Sequence, residues 1–382
     1  MNSYTINDTI HSITENDIKF LTDVSMNYYN VTLRSYIHNI KLEIDKITEQ
    51  WDKNKKYLNQ YEFINTQFDS TTPSVCTYKP ISRSFFKMIE IINSFNFNLS
   101  SQKINSFHLA EGPGGFIEAL AYTRKNKNDT YYGMTLMNEG KDIPKWSRCE
   151  QNLMKSYNII LDSGIDGTGN LYHLENLLYV KNKYAHSMDF ITADGGFDYS
   201  LDFNSQEENS LNLIFAEICF AIVMQKKGGS FVIKMYDTFS SGSIELIYLL
   251  SYLYEEIVVI KPSPSRPANS EKYFVCLNYL MKLNTNKLID KIIDNYKLIQ
   301  SNKFTNLIHT PISNHFLDKI REINSIFGQC QIENILSILN FIYEKNISTE
   351  KLEQLKKTHL NKCVKWCKKY NLSINECYNI PY

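Results

Sequence analysis

Between residues 76 and 285, short apolar runs end in glycine or a charged residue, and longer amphipathic stretches separate them. This alternation constrains the fold more than any other feature of the chain. A run of five to eight apolar residues is too short for a core helix and suits a buried strand. Residues 106–110, 130–136, 188–193, 229–234, 256–260 and 273–280 read as strands, and 211–225 and 244–253 as buried helices. Strands alternating with helices imply βαβ units and a mostly parallel sheet with both faces covered.

The flanks read differently. In residues 1–75, Ile10, Ile13, Ile18 and Leu21 begin a helix-like pattern. Leu33, Tyr36, Ile37, Ile40, Ile44 and Ile47 continue it, mostly at spacings of three and four. In residues 286–382, Leu288, Ile289, Ile292 and Ile293 start a second such pattern, and Ile332, Ile335, Leu336, Ile338, Leu339 and Ile342 extend it. The expected organisation is a helical N-terminal region (1–75), an α/β core (76–285) and a helical C-terminal region (286–382).

Charge narrows the function classes. The 41 basic residues balance 41 acidic ones, so a general basic coat for gripping nucleic acid is excluded, and any such site must be a local patch. The one conspicuous basic stretch, residues 351–369, reads as a solvated helix face or as a phosphate-binding strip. No run of about 18 apolar residues suggests a membrane span. Residues 1–17 are polar and mixed in charge, without a signal-peptide core. Eight cysteines do not make a disulfide scaffold, so the expected compartment is intracellular and reducing, cytoplasmic by default, with nucleus and virion open. His359, Cys363, Cys367 and Cys377 are zinc-type ligands, yet the first three have simple helical spacing and no C-x2-C knuckle occurs. No metal is expected.

The turn Gly112-Pro113-Gly114-Gly115-Phe116 lies between the run 106–110 and a helical pattern. Glycines there let the backbone approach a ligand, and the free N–H groups of a helix start suit an anionic group. Ile117 stands where G-x-G-x-x-G requires its last glycine, and no G-K-[ST] follows, which argues against dinucleotides and ATP. A ligand ending in an amino acid, such as S-adenosylmethionine, fits a shorter turn of this kind. Four ionisable residues fall where the chain should emerge from the sheet or approach it: Asp194 after 188–193, Lys234 ending 229–234, Glu271 before 273–280, and Lys87 on a probable helix, with Lys79 as its competitor. A lysine ending an apolar strand is costly to bury without carboxylate partners, and open α/β sheets bind ligands at the carboxyl ends of their strands.

The stretches F-H-L-A-E-G-P-G-G-F (from Phe107), T-A-D-G-G-F-D (from Thr192), G-G-S-F-V-I-K-M (from Gly228) and N-S-E-K-Y-F-V-C (from Asn269) occur in this order. They resemble the motifs of the FtsJ/RrmJ-like ribose 2′-O-methyltransferases, most of all the Adrift-type branch that methylates the first nucleotides of capped mRNA. The resemblance covers roughly residues 76–285. It implies a class I, Rossmann-like methyltransferase sheet of order 3-2-1-4-5-7-6 with the last strand antiparallel, between helical flanks. It implies S-adenosylmethionine as cofactor, held by Gly112, Pro113, Gly114, Gly115, Phe116, Thr135, Asp166 and Asp194. Asp166 would accept a hydrogen bond from the adenine amino group. It implies a tetrad of Lys87, Asp194, Lys234 and Glu271, and RNA, a capped mRNA 5′ end, as substrate. Methylation of ribosomal or transfer RNA, or a silent RNA-binding relative, are the rival expectations. In one departure, His108 stands where many members carry Asp, and Glu111 is the candidate to take over part of that role.

The reaction explains the residue types. A ribose 2′-hydroxyl is a poor nucleophile at neutral pH, and its proton must go somewhere as the methyl arrives. Free lysine titrates near 10.4. Partial burial and the Lys87 cation are expected to lower Lys234 enough for it to act as general base. Alternatively, Lys234 stabilises the developing alkoxide while Asp194 takes the proton.

Overall fold

The structure is a computed structural model that describes residues 2–6, 13–22, 25–67, 70–137, 146–197, 202–344 and 348–378. Two strands come first, β1 (Asn2–Ile6) and β2 (Ile18–Thr22), then the helices α1 (Val31–Asp45), α2 (Thr48–Leu58) and α3 (Ser84–Ser94). The alternating core follows. It runs β3 (Asn105–Leu109), α4 (Gly115–Arg124), β4 (Thr130–Met134), α5 (Ser147–Asn152), β5 (Ile159–Leu161), α6 (Leu174–Tyr184), β6 (Met188–Ala193), α7 (Gln206–Met224), β7 (Gln225–Met235), α8 (Ser241–Leu253), β8 (Tyr254–Lys261) and β9 (Lys272–Tyr279). The helix α9 (Thr285–Asn295), strand β10 (Phe304–Ile308) and helices α10 (Asn314–Tyr343) and α11 (Thr349–Lys369) complete the elements.

Eight strands form one sheet in the order β1-β8-β9-β7-β6-β3-β4-β5. Strands β3 to β7 pair in parallel, and β9 is antiparallel to both of its neighbours, β7 and β8. Counted from β3, this is the 3-2-1-4-5-7-6 arrangement. Beyond its sixth strand, β1 pairs antiparallel with β8. β2 and β10 form a separate antiparallel ribbon.

These additions correct the expectation of purely helical flanks. Ile18 and Phe20 are buried while Lys19 between them is exposed, a period of two that the neighbouring isoleucines disguised as helical spacing. Their burial depends on β10, which lies in the other flank. Ile10 falls outside the described residues. The pattern from Leu33 to Ile44 does form a helix, α1, with Ile37, Ile40 and Ile44 buried.

Both faces of the sheet are covered, and strand alternation decides what each side chain meets. On β7, Phe231, Ile233 and Met235 join a core built with α6, α7, α8 and α9. Val232 joins the opposite core, which includes Phe85, Phe86 and Ile89 of α3, Phe116 and Leu120 of α4, and Trp366 of α11. Lys234 shares the parity of Val232 and so leaves the sheet on the α3 side. α11 is tied to that side by the Trp366 indole, which donates to Glu90 of α3 at 2.5 Å. Among the described residues no helix is long and apolar enough to cross a membrane.

Candidate active site

The last residues of β7 face β9 in antiparallel register, with Lys234 opposite Tyr273. Directly opposed residues project to the same face. The Lys234 ammonium reaches the turn after β6, donating to the Asp194 carbonyl at 2.9 Å and lying 3.2 Å from Asp194 Oδ1. Tyr273 donates its hydroxyl to that same Oδ1 at 3.0 Å. From α3, Lys87 Nζ approaches the Tyr273 oxygen at 3.4 Å and pairs with Glu271 Oε1 at 2.7 Å. Ser265 also donates to Glu271 Oε1, at 2.8 Å. The structure therefore brings all four expected tetrad residues together. Lys79 donates instead to Ser74.

Tyr273 joins the two halves of the tetrad, although nothing in the sequence marked it beyond its place in a strand. Its ring packs 5.9 Å from that of Phe116, which is wholly buried. Phe116 was expected to touch the cofactor. Its side chain supports Tyr273 from within the core instead.

The charges settle differently from the sequence expectation. Burial pulls the Lys234 ammonium toward its neutral form, but Asp194, Tyr236, Glu271 and Glu217 outweigh it and hold Lys234 above the ordinary lysine range. Lys87 is not among the groups that dominate, and its charge is paired with Glu271. Burial pushes Glu271 up, yet Lys87 and then Lys234 more than reverse this and hold its carboxyl well below the usual carboxylate range.

The glycine turn lies beside this group. Gly114 has φ +106°, in the left-handed region that favours glycine, and its N–H donates to the Glu111 carbonyl at 2.8 Å. At Gly115 a side chain would meet Ser84 Oγ at 2.2 Å, so this glycine lets α4 pack against α3. The Glu111 carboxylate accepts the Phe116 N–H at the start of α4 with Oε1, while Oε2 is buried without a hydrogen-bond partner. Burial pushes this carboxyl well up, and Asp194 adds to the effect. His108 is no part of the surface. It lies within β3, fully buried, paired with Ser106 at 2.9 Å and Thr192 at 2.7 Å, and burial lowers it to about 3. The neutral imidazole is a sheet-bridging group, and Glu111 is the acid that stands at the turn.

Thr135 is buried just past β4, and the loop 164–170 lies directly on it. A side chain at Gly169 would come within 2.0 Å of the Thr135 carbonyl, and Met137 N–H donates to Thr168 at 2.7 Å. Asp166 organises this loop. Its Oδ1 accepts from Thr168 N, Thr168 Oγ1 and Asn176 at 2.8–2.9 Å, and its Oδ2 pairs with His173 at 2.6 Å. These bonds occupy the carboxylate that was expected to receive an adenine amino group. The sequence reading missed the exposed apolar side chains of Leu136, Met137 and Ile165 on the same two loops.

A cleft of about 250 Å³ opens at the loop 266–270, which leads to Glu271. Trp51 and Lys55 of α2, Lys41 of α1, Phe203, Arg266 and Asn269 line it, with α10 closing the far side. Arg266 belongs to the proline-rich loop before β9 and pairs with Glu62 at 3.0 Å. Glu62 also holds Arg83, one residue before α3, at 2.7 Å. The lysines of α11 face solvent at positions 351, 357, 365, 368 and 369.

The model of the FtsJ-like methyltransferases matches residues 80–279. The cap-specific mRNA (nucleoside-2′-O-)-methyltransferase 2 of Danio rerio is 28% identical over 355 residues, covering 85% of this chain and 45% of its own length. The cap-specific mRNA (nucleoside-2′-O-)-methyltransferase 1 of Homo sapiens is 30% identical over 262 residues, 64% of this chain and 30% of its own. The chain thus spans less than half the length of these curated relatives. A solved ribosomal RNA methyltransferase, putative, from Plasmodium falciparum aligns with 53% of this chain and 99% of its own at 19% identity and a TM-score of 0.37, too weak a likeness to carry an argument. With four motifs in order, the strand arrangement and a family match over more than half of its length, the chain belongs to the FtsJ-like methyltransferase family.

Proposed function

We propose that this protein transfers a methyl group from S-adenosylmethionine to a ribose 2′-hydroxyl of RNA, at the cap-proximal nucleotides of mRNA. The observation that carries the reading is the unbroken chain Lys234–Asp194–Tyr273–Lys87–Glu271 at the strand ends, beside the glycine turn.

The residues present fit the donor that this family uses. Gly114 supplies the left-handed turn that opens α4, and Glu111 keeps one buried carboxylate oxygen without a hydrogen bond, 3.8 Å from His108 Nδ1, an acceptor suited to an ammonium group. Leu136, Met137 and Ile165 offer an apolar surface for a purine. When bound, the donor supplies a sulfonium-activated methyl, so neither a metal nor a covalent enzyme intermediate is required.

The chain's own residues then handle the hydroxyl. Lys87 is fixed by Glu271, and Lys234 by Asp194, so two ammonium groups converge from α3 and β7 on one small region. They orient the 2′-oxygen and stabilise negative charge that develops on it. To act as base, Lys234 must first lose the proton that its carboxylate neighbours hold in place. A positive charge beside Asp194, together with exclusion of water by RNA, acts in that direction.

Two features support capped mRNA as the substrate. The relatives named above are cap-specific mRNA methyltransferases. The cleft at the loop before β9 combines the indole of Trp51 with Lys41, Lys55 and Arg266, which are paired with Asp237, Asp52 and Glu62, a surface suited to stacking a base. The test is methyl transfer from labelled donor to short capped and uncapped RNAs, with nuclease mapping of the product. Methylation of the first or second nucleotide only when the cap is present supports the reading. Equal transfer to uncapped structured RNA favours ribosomal or transfer RNA instead.

A further inference from the structure

Glu217 of α7, one of the groups that act on Lys234, lies against the same turn from the other face of the sheet. It is fully buried, and its Oε1 accepts the Gly195 N–H at 3.0 Å. Its Oε2 is buried without a hydrogen-bond partner. The fit is close: a side chain at Gly195 would come within 2.3 Å of Glu217 Oε1 and 3.1 Å of Ala110 Cβ. α7 covers the face of the sheet opposite to the one that Lys234 leaves from. The Asp194–Gly195 turn is therefore gripped from both sides, by Lys234 from one and Glu217 from the other.

An acceptor for Gly195 alone needs no carboxyl, since an amide serves equally. An idle carboxyl oxygen in the interior is costly to keep. The groups that act on Glu217 electrostatically are Lys234 of β7 and Asp194 after β6, and Glu217 in turn acts on Tyr236 beyond β7 and Tyr172 ahead of α6. Burial pushes the Glu217 carboxyl up to about 8, with Lys234 and the Gly195 N–H opposing it. A carboxyl held up by burial in this way is one that a further positive charge nearby would ionise.

We propose that Glu217 is a positioning and charge-balancing residue, which braces the Asp194–Gly195 turn and gives up a proton when a cation enters the site, so that the site favours the cationic methyl donor over its neutral thioether product. The proposal rests on the cofactor assignment above. The carboxylic acid becomes a carboxylate, and the proton passes to the buffer, where it can be counted.

The experiment is calorimetric titration of the wild-type protein and Glu217→Gln with S-adenosylmethionine and with S-adenosylhomocysteine. Titrations are run at pH 7 in two buffers of different ionisation enthalpy. The wild type should release protons on binding the sulfonium and fewer on binding the thioether. Glu217→Gln keeps an acceptor for Gly195, so its affinity for the thioether should hold. Its excess proton release should vanish, and its preference for the sulfonium should fall about tenfold if the carboxyl drops from about 8 to near 6 on binding. An unchanged proton count and an unchanged affinity ratio in the variant would overturn the proposal. Should the variant not fold, the wild-type count from pH 6 to 9 decides: a difference between the two ligands that shrinks above pH 8 supports it, and a flat one overturns it. Failure of the wild type to bind either ligand removes the cofactor assignment, and the proposal with it.

Discussion

Replacing Lys234 by Met and, separately, by Arg tests the chemistry most directly. Met retains most of the aliphatic stem in a position where the lysine side chain is only 10% exposed, so packing survives. It loses both contacts with Asp194, at 2.9 and 3.2 Å, and leaves that carboxylate with the Tyr273 hydroxyl. Breaking a largely buried pair costs about 3 kcal/mol of stability, which thermal unfolding measures separately. Loss of a general base lowers turnover about 100- to 10,000-fold, or about 3–5 kcal/mol in the barrier. Arg keeps the cation and cannot give up its proton. If Lys234 is the base, both variants fall to a similar residual rate while cofactor affinity stays near that of the wild type. The assay is single-turnover methyl transfer from labelled donor, with the product verified as a 2′-O-methyl ribose. Near-normal turnover in Lys234→Met would remove the residue from the mechanism. Turnover within tenfold of wild type in Lys234→Arg alone would refute the base assignment and leave Asp194 as the proton acceptor.

Gly114→Val should abolish cofactor binding by calorimetry, since a β-branched residue is strained at φ +106° and its Cβ would crowd Trp146 at 3.3 Å. Trp51→Ala should cut affinity for capped RNA about tenfold or more while leaving uncapped RNA nearly unaffected, a contrast that fluorescence anisotropy reads. The ion pairs of Glu271 predict a pH signature. Because its carboxyl is held below the ordinary 4.5 in the fold, its stabilisation is complete above that pH and is lost as pH falls through the lowered value. Urea unfolding between pH 6 and 3 should therefore show a steeper loss of stability for the wild type than for Glu271→Gln.

The residues that carry local patterns were legible, and those that depend on distant partners were not. Asp194, Lys234 and Glu271 stand out because each interrupts an apolar strand or borders one, where an ionised group needs a partner. Tyr273 does not, since its role comes from the register that sets it opposite Lys234. The charge balance at Lys234 is hard to read from sequence for a similar reason. Two lysines and two carboxylates can be paired in more than one way, and only the geometry assigns Lys87 to Glu271 and Lys234 to Asp194. Asp166 was assigned to the adenine through the family resemblance, and nothing within its turn announced that His173 and Asn176, seven and ten positions later, also bond to its oxygens. β1 is a short, half-polar strand, and no periodicity within five residues could announce a partner in β8.

That pairing has a consequence for how the chain assembles during synthesis. Residues 2–6 are synthesised well before their partners, residues 257–261, and β2 likewise waits for β10. Joining segments about 250 positions apart carries a large closure entropy, so both strands dock after the intervening parallel strands have paired. Until β1 arrives, β8 presents a free edge of N–H and C=O groups that can recruit another chain. A strand made before its partner thus acts as the last seal on the sheet. Amide exchange at the β1 N–H groups that bond to β8 should set in well before exchange in β6 or β7, because it requires the release of a single edge strand rather than the loss of the core.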